Sequence, residues 1–289
     1  MQYKKLILFL LVTFSLLTAI TKQLLFPNLG FFDAIKSLLQ PKIAMSFENH
    51  ANSTKYDEIA QQQDWDVEWS NQLDLYGSIS SQNFHSGQNS LELRYPSDVQ
   101  SNVGASWILP SQKQYYLSYW VFFTPDFDFD GSKLSGGKLP GLGSQGLCSG
   151  GDNCDGNNGF SSRYMWRENG KAVLYLYHMD KAGKYGDDLE LINQNAQVIH
   201  FQRGQWHHLV QRVRINDDDQ SNGEVEVWVD QTKVLSKKNL KFVTNEQGVD
   251  RLYFSTFHGG AGPEWWPSKD VYAYFDNFVI STKSFDVGL

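Results

Sequence analysis

Basic runs, cysteines and long helical segments are scarce in this chain, and each scarcity narrows what it can be. No run of lysine or arginine offsets the formal net charge of −7, which argues against general nucleic-acid binding. The two cysteines have no paired histidines nearby, so they make a poor zinc site. Long helical periodicity and internal repeats are both missing, which leaves a fold built from strands.

Nucleotide and metal motifs are incomplete in the sequence. The segment Gly136-Gly137-Lys138 lacks the GxxxxGK(S/T) spacing of a phosphate loop. Residues 126–131 (DFDFDG) match the first half of a calcium loop, but its twelfth position falls on glycine instead of glutamate. We therefore expect no required cofactor and no metal at the site, with a weak possibility of a structural calcium ion at this turn.

What the chain does contain is typical of a β-sandwich. Aromatic residues make up 15% of the sequence and glycines number 24, which suits many short strands and turns. Strands are predicted at residues 90–95, 116–123, 160–167, 172–179, 207–215, 224–230, 252–257 and 271–280. This pattern predicts an all-β fold, an antiparallel jelly-roll β-sandwich whose concave sheet carries a substrate-binding groove.

The N-terminal end has the features of an export signal. Two lysines precede an apolar run, residues 6–20, that is short for a membrane span. We predict a signal peptide or membrane anchor at 1–22, a linker at 23–63 and the folded domain at 64–289. Export predicts a secreted, periplasmic or cell-surface protein, and an oxidising compartment favours a disulfide between Cys148 and Cys154.

Two alternating segments joined by residues 168–170 predict the most informative hairpin. A three-residue loop, a type I turn with its glycine in the left-handed region, buries the apolar side chains of both strands on one face. This register places Arg163 opposite Tyr175 and Ser161 opposite Tyr177. A guanidinium beside two phenols then lies on the other face, which is a catalytic arrangement and not an obvious core.

These residues carry a family resemblance. The run 136–141 (GGKLPG), then Ser161-x-Arg163 and Tyr175-x-Tyr177, then 255–260 (STFHGG) and 274–277 (YFDN), resembles polysaccharide lyase family 14, the alginate and glucuronan-type lyases. The similarity extends from roughly Gln88 to the C-terminus. His258 departs from the family pattern, because an aromatic residue is expected at that position.

The resemblance implies an exported lyase that cleaves a uronic-acid polymer, alginate or glucuronan, by β-elimination. This reaction needs a group to neutralise the carboxylate, a base for the C5 proton and an acid for the departing O4. By resemblance the catalytic residues are Lys138, Arg163, Tyr175 and Tyr177. We expect Arg163, with Lys138, to neutralise the carboxylate and one tyrosine to act as base and acid; Lys138 as the base is an open variant.

The resemblance and the composition also suggest how substrate is held. Ser161 is expected to orient the polymer, and Arg167 to add local positive charge. Trp265 and Trp266 lie in a Gly/Pro-rich loop, where they either stack on sugar rings or plug the edge of the sandwich. The expected partner is an anionic polysaccharide and no nucleic acid; the chain is expected to be a monomer, and to contact a membrane only if its N-terminal segment is uncleaved.

Two other functions fit parts of the sequence. The same sheet face could hold a polymer without cleaving it, as a non-catalytic carbohydrate-binding module does. Glu224 and Glu226 share a strand face, and glycoside hydrolases on sandwich folds use paired carboxylates. Alternating charge on an exposed strand is the commoner reason for such a pair.

Overall fold

Alternating apolar residues along short strands build two antiparallel sheets around one aromatic-rich core. The computed structural model describes residues 42–244, 246–260 and 262–289. The predicted signal peptide or anchor, residues 1–22, and the predicted linker up to residue 41 lie outside these ranges. Within them, no helix is both long and apolar enough to cross a membrane.

The strands account for most of the described chain. In order they are β1 (Lys42–Met45), β2 (Asp66–Asn71), β3 (Gly77–Ser80), β4 (Ser90–Tyr95), β5 (Gly104–Gln112), β6 (Gln114–Phe123), β7 (Gly137–Gly143), β8 (Ser161–Trp166), β9 (Ala172–Tyr177), β10 (Asp187–Glu190), β11 (Trp206–Arg214), β12 (Gly223–Val229), β13 (Thr232–Leu240), β14 (Val249–Ser255) and β15 (Val271–Ser281). Two helices, α1 (Glu58–Asp64) and α2 (Leu73–Tyr76), and short 3-10 turns at Glu168–Gly170, Pro263–Trp265 and Ser284–Val287 complete the fold.

The strands form an eight-stranded and a seven-stranded sheet. The first runs β13-β12-β11-β6-β15-β4-β3, with β1 also pairing with β15. The second runs β10-β9-β8-β7-β14-β5-β2. The predicted all-β jelly-roll sandwich is confirmed, and each of the eight predicted strands is present. Strands β1, β2, β3, β5, β7, β10 and β13 were not predicted.

The core lies between the sheets and is held by both packing and polar contacts. The Trp65 and Trp107 rings stack with centroids 4.4 Å apart, and Trp107 is fully buried. Ser162 on β8 donates a hydrogen bond to the side chain of Gln211 on β11 at 2.9 Å. Because both side chains are buried, this bond satisfies polar groups that would otherwise be costly and joins the two sheets.

The fold begins earlier than the predicted boundary at residue 64. Residues 42–63 contain β1 and most of α1, and the side chains of Phe47 and Tyr56 are buried in the core. Helix α1 is capped by Asp57, whose carboxylate accepts the Ala60 N–H at 2.9 Å. The described part of the predicted linker is therefore folded, because its aromatic residues pack against the sandwich.

The β8–β9 hairpin has the predicted register. Arg163 pairs with Tyr175 and Ser161 with Tyr177, and residues 168–170 form the connecting loop. The turn differs from the predicted type I conformation, because the asparagine as well as the glycine of the loop has positive φ, 55° and 74°. Asn-Gly sequences favour positive φ at both positions, which matches the right-handed twist of the flanking strands.

Candidate active site

One pocket of about 700 Å³ opens on the outer face of the seven-stranded sheet. Strands β7, β8, β9 and β10 supply its floor, and the loops after β14 and before β10 supply its walls. Side chains that line it include Lys138, Met165, Arg167, Tyr175, Tyr177 and Trp265. Five of these six were predicted from the sequence as site residues, and the pocket brings them together.

Lys138 lies on β7, in a segment where the sequence predicted no strand. It follows the first residue of β7, and its Nζ donates to the carbonyl of Gly259 at 3.2 Å while lying 4.5 Å from the centroid of the Phe257 ring. Burial, reinforced by the nearby guanidinium groups of Arg163 and Arg167, lowers the pKa of Lys138 to about 7. A substantial fraction of this amine is therefore uncharged at neutral pH.

Arg163 lies beneath the pocket and not in its lining. Its side chain is 2% exposed, and Nη1 donates to the Ser255 hydroxyl at 3.2 Å. The guanidinium carbon lies 4.5 Å from the Tyr253 ring centroid and 5.9 Å from that of Tyr175. The predicted direct contact of Arg163 with a substrate carboxylate does not fit this burial, whereas a through-space electrostatic effect on the pocket does.

The two predicted tyrosines form a hydrogen-bonded pair. Their hydroxyl oxygens are 3.3 Å apart, the N–H of Gly151 donates to Tyr177 at 3.0 Å, and the N–H of Gly186 donates to Tyr175 at 3.3 Å. Burial, followed by the bond with Tyr177, raises the pKa of Tyr175 above its ordinary value. This phenol is therefore protonated at neutral pH and can donate a hydrogen bond to the Tyr177 oxygen.

Ser161 does not line the pocket, although it was predicted to bind substrate. It is fully buried, and its hydroxyl donates to the carbonyl of Cys148 at 2.8 Å. Cys148 and Cys154 form the predicted disulfide, which closes a loop over this face of the sheet. The contact shows that Ser161 anchors the disulfide loop to β8.

Arg167 lines the pocket but already has an acidic partner. Its guanidinium donates two hydrogen bonds to Asp188 on β10, at 2.8 and 2.7 Å, in the bidentate geometry that arginine favours with carboxylates. The guanidinium carbon also lies 5.6 Å from the Tyr175 ring centroid. Arg167 therefore adds less net positive charge to the pocket than the sequence predicted.

The paired tryptophans separate in space. Trp265 lines the pocket and packs closely over Gly259 and Gly260, where an added Cβ would lie 2.5 Å from the indole. Trp266 is not part of the lining, so a stacking role on sugar rings is available only to Trp265. The glycines explain the loop sequence, because a side chain at either position would displace the tryptophan.

His258 occupies the position where the family pattern has an aromatic residue, and it packs as one. Its ring lies 5.1 Å from the Trp166 ring and 5.8 Å from the Phe127 ring, between centroids, and the side chain is 4% exposed. Burial lowers the pKa of His258 to about 4. The ring is therefore neutral at pH 7 and supports the loop under Phe257.

Several residues that sequence analysis missed complete the pocket. Gln100 and Asn102 come from the loop before β5, Phe257 from the loop after β14, and Tyr185 and Asp188 from the segment around the start of β10. Gln100 and Asn102 are distant in sequence from the hairpin and stand in no motif, so only the strand order of the sheet brings them to the pocket. Tyr185 and Asp188 follow the hairpin closely, and Phe257 belongs to the run 255–260 that carries the family resemblance.

The carboxylate pair of the glycoside hydrolase alternative lies on the other sheet. Glu224 and Glu226 are on β12 of the eight-stranded sheet, and Arg212 donates to both, at 3.0 and 2.9 Å. Although burial opposes it, hydrogen bonds from Lys233 and Arg212 hold the pKa of Glu226 below its ordinary value. A glycosidase acid needs a raised pKa, so Glu226 does not suit that role.

The aspartates of the half calcium loop are held by protein donors. Asp128 accepts the N–H groups of Asp130 and Gly131, and both the N–H and the hydroxyl of Ser268. Asp126 pairs with Lys269 at 2.9 Å. Across the described ranges, no group of three or more His, Cys, Asp or Glu side chains is arranged to hold a metal ion.

Comparisons with known proteins agree with this geometry. The family model described as Polysaccharide lyase 14 matches residues 78–278. Alginate lyase Aly36B is similar in structure, with a TM-score of 0.68 and 22% identity over 83% of this chain and 96% of that chain. The marine PL-14 alginate lyase from Aplysia kurodai gives 0.64 and 26% identity over 82% and 97%.

A more distant structure belongs to the same fold. The endo-beta-1,4-glucuronan lyase from the fungus Trichoderma reesei has a TM-score of 0.52 and 12% identity over 82% of this chain and 96% of that chain. A search of curated protein sequences gave no match.

Proposed function

The chain belongs to polysaccharide lyase family 14 and is a polysaccharide lyase acting on a uronic-acid polymer, and from this premise we propose that its preferred substrate is alginate. The alginate lyase from Aplysia kurodai, at 26% identity over most of both chains, supports alginate over glucuronan. The observation that carries the proposed elimination chemistry is the convergence of Lys138 and the Tyr175–Tyr177 pair in one pocket.

Lys138 is the proposed base. β-Elimination begins with removal of the C5 proton of a uronate, and only an uncharged amine can accept it. The lowered pKa of Lys138, about 7, makes that form available at neutral pH, while its bond to the Gly259 carbonyl holds the amine at the pocket wall. The alternative with a tyrosine as base is less favoured, because burial raises the pKa of Tyr175.

Tyr177 is the proposed acid for the departing O4 atom. A phenol that gives up its proton becomes a phenolate, and two donors are in place to receive that charge, the Gly151 N–H and the Tyr175 hydroxyl. Donors that are fixed before the reaction stabilise developing charge without reorganisation. Lys138 and Tyr177 thereby divide the base and acid roles between two different groups.

The substrate carboxylate must also be stabilised, and two kinds of group are available. The amides of Gln100 and Asn102 line the pocket and can donate hydrogen bonds. The buried guanidinium of Arg163 provides positive charge below the floor, where screening by water is weak. We assign Arg163 this indirect role in place of the direct contact expected from the sequence.

The cellular setting of the enzyme is also a proposal. We propose that the enzyme is exported, monomeric and without a required cofactor. The N-terminal sequence supports export, and the Cys148–Cys154 disulfide supports an oxidising compartment. Mass spectrometry of the protein from its native source tests the N-terminal prediction, because cleavage near residue 22 removes a defined mass.

The activity is tested by incubating the enzyme separately with alginate and with glucuronan. A lyase produces an unsaturated uronate that absorbs in the ultraviolet, and we expect faster formation with alginate. Release of new reducing ends without that absorbance would contradict the proposal, as would a rate on glucuronan above that on alginate.

The role of Lys138 is tested with two substitutions. Lys138→Ala and Lys138→Arg are each expected to lower kcat at least ~100-fold, because neither supplies an uncharged amine. Lys133→Ala, at a nearby exposed lysine, is the control and is expected to keep wild-type rates. Activity retained by Lys138→Arg would show that only positive charge is needed, and that Lys138 is not the base.

The pH dependence follows from the same group. Because the neutral amine is the active form, kcat/KM is expected to rise with pH through a midpoint near the pKa of Lys138, about 7. A steady-state profile in buffers of constant ionic strength measures this midpoint. A rate that is flat between pH 6 and pH 8 would remove Lys138 from the base role.

A further inference from the structure

The disulfide loop touches the proposed acid directly. Gly151 lies between Cys148 and Cys154, and its N–H donates to the Tyr177 hydroxyl oxygen at 3.0 Å. Both cysteines pack in a small apolar cluster with Met165, Val173 and the two tyrosines, separate from the main core. The loop is therefore part of the environment of the phenol pair.

Two interactions hold the disulfide loop in place. The disulfide closes it, and the Ser161 hydroxyl on β8 donates to the Cys148 carbonyl at 2.8 Å. Gly151 adopts a φ of 97°, which L side chains rarely adopt, and a Cβ there would lie 3.2 Å from the Tyr185 ring. Glycine at this position lets the backbone amide approach Tyr177 while Tyr185 packs behind it.

From these contacts we infer that the Cys148–Cys154 loop is a positioning element, which presents the Gly151 N–H to the oxygen of Tyr177 so that the phenolate formed in catalysis is stabilised. The inference rests on the proposed role of Tyr177 as acid. It gives Ser161 the role of holding the loop, and it makes Ser161, Cys148, Cys154 and Gly151 one chain of positioning residues.

Several charged or titratable side chains surround the Tyr177 phenol. The titratable or charged side chains near Tyr177 or its partner Tyr175 are Lys138, Arg163, Arg167, Lys181, Lys184, Tyr185 and Asp188. Lys181 lies 5.8 Å from the Tyr177 ring centroid and donates to the carbonyls of Gly183 and Lys184. The Gly151 N–H donates to Tyr177, and a side chain added at Gly151 would also contact Lys184 and Tyr185.

The first test breaks the loop with the double substitution Cys148→Ala/Cys154→Ala. We expect kcat on alginate to fall about tenfold with KM changed less than about twofold, since the lost donor acts on the developing phenolate. An enzyme whose general acid is a phenol loses activity in alkali, and this falling part of the kcat profile is its alkaline limb. The alkaline limb is expected to move to higher pH, because a phenol without its donor ionises less readily. The rising limb assigned to Lys138 should stay in place.

Substitutions within the loop keep the test independent of the disulfide's contribution to folding. Gly151→Ala is expected to shift the alkaline limb in the same direction, and Ser161→Ala to do so by a smaller amount. Gly150→Ala is the matched control: it is also a positive-φ glycine of the loop (φ 65°), and a Cβ there meets no protein atom within 4 Å. Because Gly150 lines the pocket, this control is judged by the pH positions of its limbs, which are expected to match wild type, and not by its rate. Melting temperatures confirm that each variant is folded at the assay temperature.

The outcomes separate the inference from the proposed function. A profile scaled down at every pH, with both limbs unmoved in the Gly151 and double-cysteine variants, would overturn the positioning role while leaving the lyase activity intact. Equal shifts in Gly150→Ala and Gly151→Ala would overturn it as well. Wild-type enzyme that forms no unsaturated product from either polymer would instead refute the proposed substrate.

Discussion

His258 shows how one residue can keep an aromatic position and still change the behaviour of the protein. The imidazole stacks beside Phe127 and meets Trp166 edge-on, as a phenyl ring would. It differs from phenylalanine in being able to bind a proton, and burial makes that protonation unfavourable in the folded state. Acid therefore adds a cost to this choice that a phenyl ring would not have.

His258 is expected to make the folded protein less stable in acid. The ordinary histidine pKa is 6.5, and the folded value is about 4, so between these limits the unfolded chain binds a proton that the folded protein does not. Stability therefore falls as pH falls through this window, by up to about 3 kcal/mol from this group. His258→Phe is expected to remove that loss, measured by urea unfolding at pH 7 and pH 4.5. His200→Gln, at an exposed histidine, should not.

The pairing of Arg163 with Tyr175 was predictable from the sequence, but the burial of Arg163 was not. Period-two alternation and the hairpin loop were enough to place Arg163 beside Tyr175 and Ser161 beside Tyr177. The burial of Arg163 could not be predicted, because the ring that covers it, Tyr253, comes from a strand about ninety residues later. Depth in a sheet depends on long-range strand order, which local patterns do not encode.

At the scale of elements, β7 was missed because its sequence resembles a loop. Glycine and proline usually interrupt strands, and Gly137–Gly143 contains four of them. Two of these glycines are required because neighbouring atoms approach the backbone closely. A Cβ at Gly137 would lie 1.9 Å from the Trp166 ring, and one at Gly141 would lie 1.9 Å from the Ser162 carbonyl oxygen. A register shift between Lys138 and Gly141 accommodates the proline and sets the direction of the lysine.

The β8–β9 hairpin provides a test of how firmly this element is specified. Gly170 has a φ of 74°, and a Cβ there would meet the Phe201 carbonyl oxygen at 2.7 Å. Gly170→Ala is expected to lower the free energy of unfolding by about 2 kcal/mol, from strain and crowding together. Asn169→Gly, at the neighbouring position with φ 55°, is the control and should change it by less than about 1 kcal/mol. Urea unfolding with an unchanged m-value measures both, and equal losses would contradict the assignment of strain to Gly170.

At the scale of the whole molecule, the two sheets carry different groups on their outer faces. The eight-stranded sheet carries the paired charges of Arg212, Glu224 and Glu226 on its outer face, and the seven-stranded sheet carries the pocket. The alternating pattern of β12 predicted its outward carboxylates, but only the sheet order shows that they face away from the pocket. An acidic molecule with a few enclosed cations must therefore bind an anionic polymer against its own net charge.

That conflict has a measurable consequence for association. A net charge of −7 repels a polyanion at long range, and salt screens this repulsion over a Debye length of about 10 Å at 0.1 M. The attraction near Arg163 is screened less, because its side chain is buried. We therefore expect kcat/KM on alginate to rise several-fold between about 10 and 150 mM NaCl, while kcat changes little.

Measuring the same series with KCl separates screening from specific ion effects, and unfolding midpoints at each salt concentration exclude a change in stability. A steady fall of kcat/KM with salt would mean that the local cations, and not the net charge, govern the approach of the polymer.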